Sequence, residues 1–179
     1  GVTVEQDDLT LNGTALRRFG DSLLVLGDLR LTEDCAEALS NLEYLQVEGD
    51  VYLPESLSDA LDAVTETILD GEVYYLPGKP LFDKLKLKVD KNLLDAFPDG
   101  LTLVGCTDVT LADDLTSADV IDRLAFYDCK TVTCPTALES AVQAVSSDVN
   151  SIALSDAPDG GAPQPDADTQ CIDAMNYVL

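Results

Sequence analysis

The chain has 179 residues, enough for one domain to bury most of its apolar surface without disulfide or metal staples. Ten Lys and Arg stand against 34 Asp and Glu, a formal charge of -24 that opposes nucleic acid and anionic membranes by long-range repulsion. There is no His, which removes the commonest general base and the commonest metal ligand together and excludes Ser/His/Asp and Cys/His nucleophile activation.

The elements predicted along the chain repeat one unit, clearest in LEYLQVEGDVYLPESLSDALDAV from Leu42 to Val64: a short strand, a polar corner, a second short strand and a helical turn. Self-similarity at a period of about 20 to 30 residues marks a repeat architecture. With Val47 as marker, comparable positions are Val4, Val25, Val47, Leu69, Val89, Leu103 and Phe126, at steps of 21, 22, 22, 20, 14 and 23 residues. The residues two earlier are Val2, Leu23, Leu45, Thr67, Leu87, Leu101 and Leu124, so each pair turns to one side of a strand.

A second alternating piece follows the corner: DLTL from Asp8, DLRL from Asp28, DVYL from Asp50, EVYYL from Glu72, DVTL from Asp108 and TVTC from Thr131. Each predicts a short second strand. The corner carboxylates are expected to accept backbone amides of their own or the neighbouring unit. Helices are predicted after Pro54 (Leu57, Leu61, Val64) and after Pro135 (Leu138, Ala141, Val142, Val145), with Ser117 capping 118–124 and Thr32 capping the segment around Ala36 and Leu39. PGKP at 77–80 predicts an irregular crossing in place of a helix.

These units resemble the leucine-rich repeat family, in a divergent bacterial-type form, whose pattern is LxxLxLxxNxL continuing into LPxxL. Leu87, Val89, Asn92, Leu94, Phe97, Pro98 and Leu101 carry the likeness, with Lys84 at the first Leu position; Leu42, Leu45, Val47 and Asp50 carry its first half, with Asp for Asn. Leu101, Leu103, Cys106, Val109 and Thr110, then Leu124, Phe126, Cys129, Val132 and Thr133, look like the cysteine-containing subtype LxLxxCxxIT. The resemblance implies an α/β, right-handed solenoid of about seven coils over residues 1–155, its first strands in one parallel sheet on the concave side. A right-handed parallel β-helix with occasional helices is the alternative. It also implies that Cys106 and Cys129 stack in adjacent coils, about 4.8 Å apart, within disulfide reach but expected as two buried thiols because each turns inward to the backbone.

Residues 156–170 read as an acidic Pro/Gly-rich mobile loop, and 171–179 as a terminal capping strand, with Val2 to Leu11 closing the other end. Cys35, Cys106, Cys129, Cys134 and Cys171 form no CxxC pair; an odd, scattered set predicts reduced thiols and tilts the compartment towards the cytoplasm rather than the cell surface. Gly1 has the character of a residue left by tag cleavage, which leaves an upstream segment open.

If alternate residues face the core, those between them line a concave face. Tyr44, Gln46, Ile68, Lys86, Lys88, Thr102, Val104 and Tyr127 are its candidate binding residues, because Tyr beside apolar groups has the composition of interface anchors. Lys79, Lys84, Lys86, Lys88 and Lys91 put half of the basic residues between positions 79 and 91, either as a solvated strand face or as an anchor for an acidic peptide or another subunit. The expected function is a non-catalytic protein-recognition or scaffold module, not an enzyme, that binds an unidentified protein or peptide as a monomer. No cofactor, metal, nucleic acid or membrane insertion is predicted. A self-assembling structural protein, or an enzyme acting on polysaccharides with carboxylates alone, are the alternatives.

Overall fold

A computed structural model describes residues 2–156; all but the first residue of the expected acidic loop, and the whole expected capping strand at 171–179, lie outside the described residues. The fold is mixed α/β, with four parallel sheets of four strands each and short helices between them. In the first half, β1 (Thr3–Glu5), β3 (Ser22–Val25), β5 (Tyr44–Val47) and β7 (Glu66–Leu69) form sheet A. Sheet B holds β2 (Leu9–Leu11), β4 (Leu29–Leu31), β6 (Val51–Pro54) and β8 (Val73–Leu76), and the first three of these lead into α1 (Gly13–Arg17), α2 (Ala36–Ser40) and α3 (Ser58–Asp62). The second half repeats the plan. Sheet C holds β9 (Lys79–Phe82), β11 (Leu101–Val104), β13 (Leu124–Tyr127) and β15 (Ser146–Ser147). Sheet D holds β10 (Lys86–Val89), β12 (Asp108–Leu111), β14 (Thr131–Cys134) and β16 (Ser151–Leu154), interleaved with α4 (Lys91–Asp95), α5 (Ser117–Arg123) and α6 (Glu139–Ala144).

Period-2 alternation gives each half its own core. Leu23, Val25, Leu45 and Val47 of sheet A meet Leu29, Leu31, Val51 and Leu53 of sheet B and Leu16, Leu39 and Leu57 from the helical side. Leu103, Phe126, Val109, Val132, Leu94, Val120 and Val142 do the same in the second half. Each such side chain contributes roughly 1.5–3 kcal/mol on burial. All six second strands expected after the corners are present. The corner carboxylates act across units as expected: Asp8 Oδ1 accepts the Asp28 amide at 2.8 Å, Asp28 Oδ1 the Asp50 amide at 2.8 Å, and Asp50 Oδ1 the Glu72 amide at 2.9 Å. Gly49 lets the stack close up there, since a Cβ would lie 2.4 Å from Asp28 Oδ1 and 2.5 Å from the Gly27 carbonyl.

Several expectations are corrected. Instead of one concave sheet there are two per half: Leu23, Leu45 and Thr67 stand side by side as expected, as do Leu101 and Leu124, but Leu87 lies in sheet D beside Val109 and joins neither row. Leu81, not Val89, is the marker of the fifth unit: it pairs with Leu103, 22 residues on, and the 14-residue step was a jump between sheets. PGKP does not cross irregularly throughout. Lys79 and Pro80 already belong to β9, where an edge position tolerates proline because no ladder amide is needed. Val4 is one residue out of phase, pairing with Leu24 instead of Val25, and a one-residue slip turns a side chain to the opposite face; it is 48% exposed. Thr116, not Ser117, caps α5, through a capping box with Asp119. Thr32 precedes a 3-10 turn and makes no side-chain cap bond to it. Helix α1, capped by Asn12, was not foreseen.

Candidate recognition surfaces

The two halves meet through outward-facing strand residues. Thr10, Arg30, Tyr52 and Tyr74 stand in one row across sheet B, and Phe82, Val104, Tyr127 and Ser147 in one row across sheet C. Tyr52 stacks on Tyr74 with centroids 4.9 Å apart, and Tyr127 meets the two rings at 6.2 and 5.4 Å. Arg30 is 5% exposed. Its Nη2 donates to Asp128 Oδ2 at 2.8 Å, its Nε lies 3.9 Å from Asp83 Oδ1, and its Cζ sits 5.5 Å from the Tyr52 ring centroid. Thr10 donates to Asp83, Lys79 Nζ donates to Glu33 at 2.7 Å, and Thr102 donates to the Pro77 carbonyl. Carboxylates crowd the seam: burial first, then Asp28, Asp8 and Asp148, push Asp128 up against the pull of Arg30, and burial with Asp28, Asp50 and Asp128 pushes the Tyr52 hydroxyl up.

This seam divides the expected binding face three ways. Tyr44, Gln46 and Ile68 stay together on the outer face of sheet A, where the Tyr44 hydroxyl donates to the Gln46 amide oxygen. Thr102 and Val104 are buried, at 1% and 0% exposure; Val104 and the half-buried Tyr127 pack into the seam, and Thr102 is tied to the linker. Lys86 and Lys88 project from sheet D, with Leu87 and Val89 turned inward. Two strands of the same alternation look alike in sequence; which sheet each joins depends on where the first stack stops, at Pro77–Gly78.

Sheet A adds Val4, Ser22 and Glu66 to the outward face expected for it. Val4, Leu24, Gln46 and Ile68 form one outward row, Ser22, Tyr44 and Glu66 a second, and Leu26, Glu48 and Asp70 continue beyond the ladder as a third. Val4, Leu26 and Ile68 are 48%, 37% and 37% exposed. The register slip at Val4 concealed its place beside Leu24; Gln46 separates this apolar pair from Ile68. Along sheet D the matching outward rows are Lys86, Asp108, Thr131, Ser151 and Lys88, Thr110, Thr133, Ala153, with Leu85 77% exposed just before β10.

Cys35, Cys106, Cys129 and Cys134 are buried free thiols; Cys171 lies outside the described residues. Cys106 and Cys129 sit in adjacent units. Cys129 Sγ donates to the Leu103 and Tyr127 carbonyls at 3.5 Å, and the neighbouring Cys106 thiol together with burial pushes Cys129 up. Burial also raises Cys35, to about 11. Among the described residues no group of three or more Cys, Asp or Glu is placed to hold a metal ion, and no helix is long and apolar enough to cross a membrane. No protein-family model, no curated protein and no solved structure matches the chain, so the leucine-rich-repeat resemblance rests on its residues alone.

Proposed function

We propose that the chain is a non-catalytic protein-recognition module, a leucine-rich-repeat-like solenoid broken once at Pro77–Gly78 so that its second stack lies against its first. The 22-residue steps and the in-register parallel strands support the solenoid. The outer face of sheet A carries the recognition reading: exposed Val4 and Leu26 flank the half-buried Leu24, and exposed Ile68 lies across Gln46 from them, with Tyr44 alongside. Buried thiols held without a disulfide favour a reducing compartment such as the cytoplasm.

A random peptide library displayed against the protein tests this. Selected peptides should lose at least tenfold in affinity for Leu26→Ser/Ile68→Ser, a pair of exposed positions whose change leaves the core untouched. Selection of no peptides, or of peptides indifferent to that double variant, overturns the reading.

A further inference from the structure

On the basis of that recognition face, we infer that its partner is a second copy of this chain, which presents the lysine-bearing edge of sheet D to sheet A.

Three observations lead there. First, the two surfaces carry opposite unpaired charge. Glu48, Glu66 and Asp70 are exposed on the β5–β7 side of sheet A, and none of them makes an ion pair among the described residues. Lys84, Lys86 and Lys88 are exposed along β10 and equally without one, whereas their neighbours Lys79 and Lys91 are engaged by Glu33 and Asp119. Asp108 beside Lys86 is the one opposing carboxylate in the two outward rows of sheet D. In a chain of net charge -24, two free lysines on a strand and a third just before it are the complement that the acidic face of the same molecule lacks.

Second, both surfaces have apolar residues exposed: Ile68 and Leu26 on one, Leu85 on the other. Third, the molecule already contains this type of contact, since the outward residues of sheet B pack on those of sheet C. Sheets A and D are the two faces this arrangement leaves over. Joining D of one copy to A of the next is heterologous, head to tail, and each copy retains one free acidic and one free basic face.

Ionic strength acts in two directions. The Debye length falls from about 30 Å at 0.01 M salt to about 8 Å at 0.15 M and about 3 Å at 1 M. Low salt therefore lets the net charge keep copies apart, near-physiological salt screens that repulsion while leaving contact pairs intact, and high salt weakens the pairs as well.

Light scattering on a size-exclusion column, with the full chain loaded from about 1 µM to about 1 mM, tests the inference. The mass should rise above the 19.1 kDa monomer with concentration, most at intermediate salt. Lys86→Glu/Lys88→Glu alone and Glu66→Lys/Asp70→Lys alone should remain at 19.1 kDa under the same conditions, and mixing the two variants should restore association, because each then offers the charge opposite to the one the other has gained. A wild-type mass of 19.1 kDa throughout overturns the inference, as do variants that associate like wild type or a mixture that stays monomeric. If the chain is monomeric yet displayed peptides still depend on Leu26 and Ile68, the homotypic partner alone falls and the recognition face stands.

Discussion

Asp28 does at one position what a loop of water does in an exposed turn: its carboxylate takes the Asp50 amide, which the strand ladder on either side leaves free. Asp28→Ala strands that amide and should cost about 1–3 kcal/mol in urea unfolding, whereas Asp28→Asn, which keeps an oxygen in place, should cost clearly less. Gly49→Ala is more severe, about 3 kcal/mol or beyond, because its Cβ meets backbone at 2.5 Å and backbone cannot swing aside as a side-chain tip can. Equal costs for Asn and Ala at position 28 would show that the carboxylate is not acting as an amide acceptor. The acidic residue at this corner was legible as structural from its recurrence at Asp8, Asp28 and Asp50. The glycine before it was not, because the need for it comes from the preceding unit pressing on the same spot.

At the scale of elements, the six helices among the described residues are five to seven residues long, too short to be stable alone, so their ends and neighbours hold them. Arg123 of α5 reaches back to donate to the Leu94 carbonyl at 2.6 Å, closing the end of α4, and Lys91 of α4 donates to Asp119 of α5 at 2.9 Å. The Thr116 amide, then the Lys91 ammonium, hold Asp119 down at about 2. An unfolded Asp titrates near about 3.9. Because the folded value is the lower one, the stability contributed by Asp119 is complete above pH of about 4 and is lost as pH falls towards 2. The destabilisation caused by Asp119→Asn should therefore be largest near pH 7 and should shrink steadily between pH of about 4 and 2. A pH-independent difference would remove Asp119 from the acid response.

For the whole molecule, the decisive contact is the seam, since each half has its own core and little besides the seam and the Pro77–Gly78 link couples them. Among the described residues Arg30 is its one buried cation, held by Asp128 and stacked on Tyr52. Asp128 keeps solvent access, its side chain 46% exposed, so Arg30→Ala loses a charge-assisted hydrogen bond and the contact with the Tyr52 ring and should cost about 1–3 kcal/mol. It should also separate the halves: a single denaturant transition in the wild type should become two, one for each stack. One undivided transition in Arg30→Ala would mean that the halves are joined by something other than this seam.

Composition and short-range periodicity determined a great deal. The alternation of apolar residues specified strands and their inward faces, the repeat length specified units stacked in parallel, and the acidic corners specified which amides would be capped. These are local properties, decided within a few residues or between one unit and the next. Tertiary structure alone decided that the stacking stops at Pro77 and begins afresh at Lys79, and hence that Lys86 and Lys88 stand in sheet D, away from Tyr44 and Ile68, while Val104 and Tyr127 meet Tyr52 in the seam. An outward-facing strand residue has the same pattern whether water or another sheet covers it. Only the packing of residues far apart in the chain, such as Arg30 against Asp128, tells the two apart.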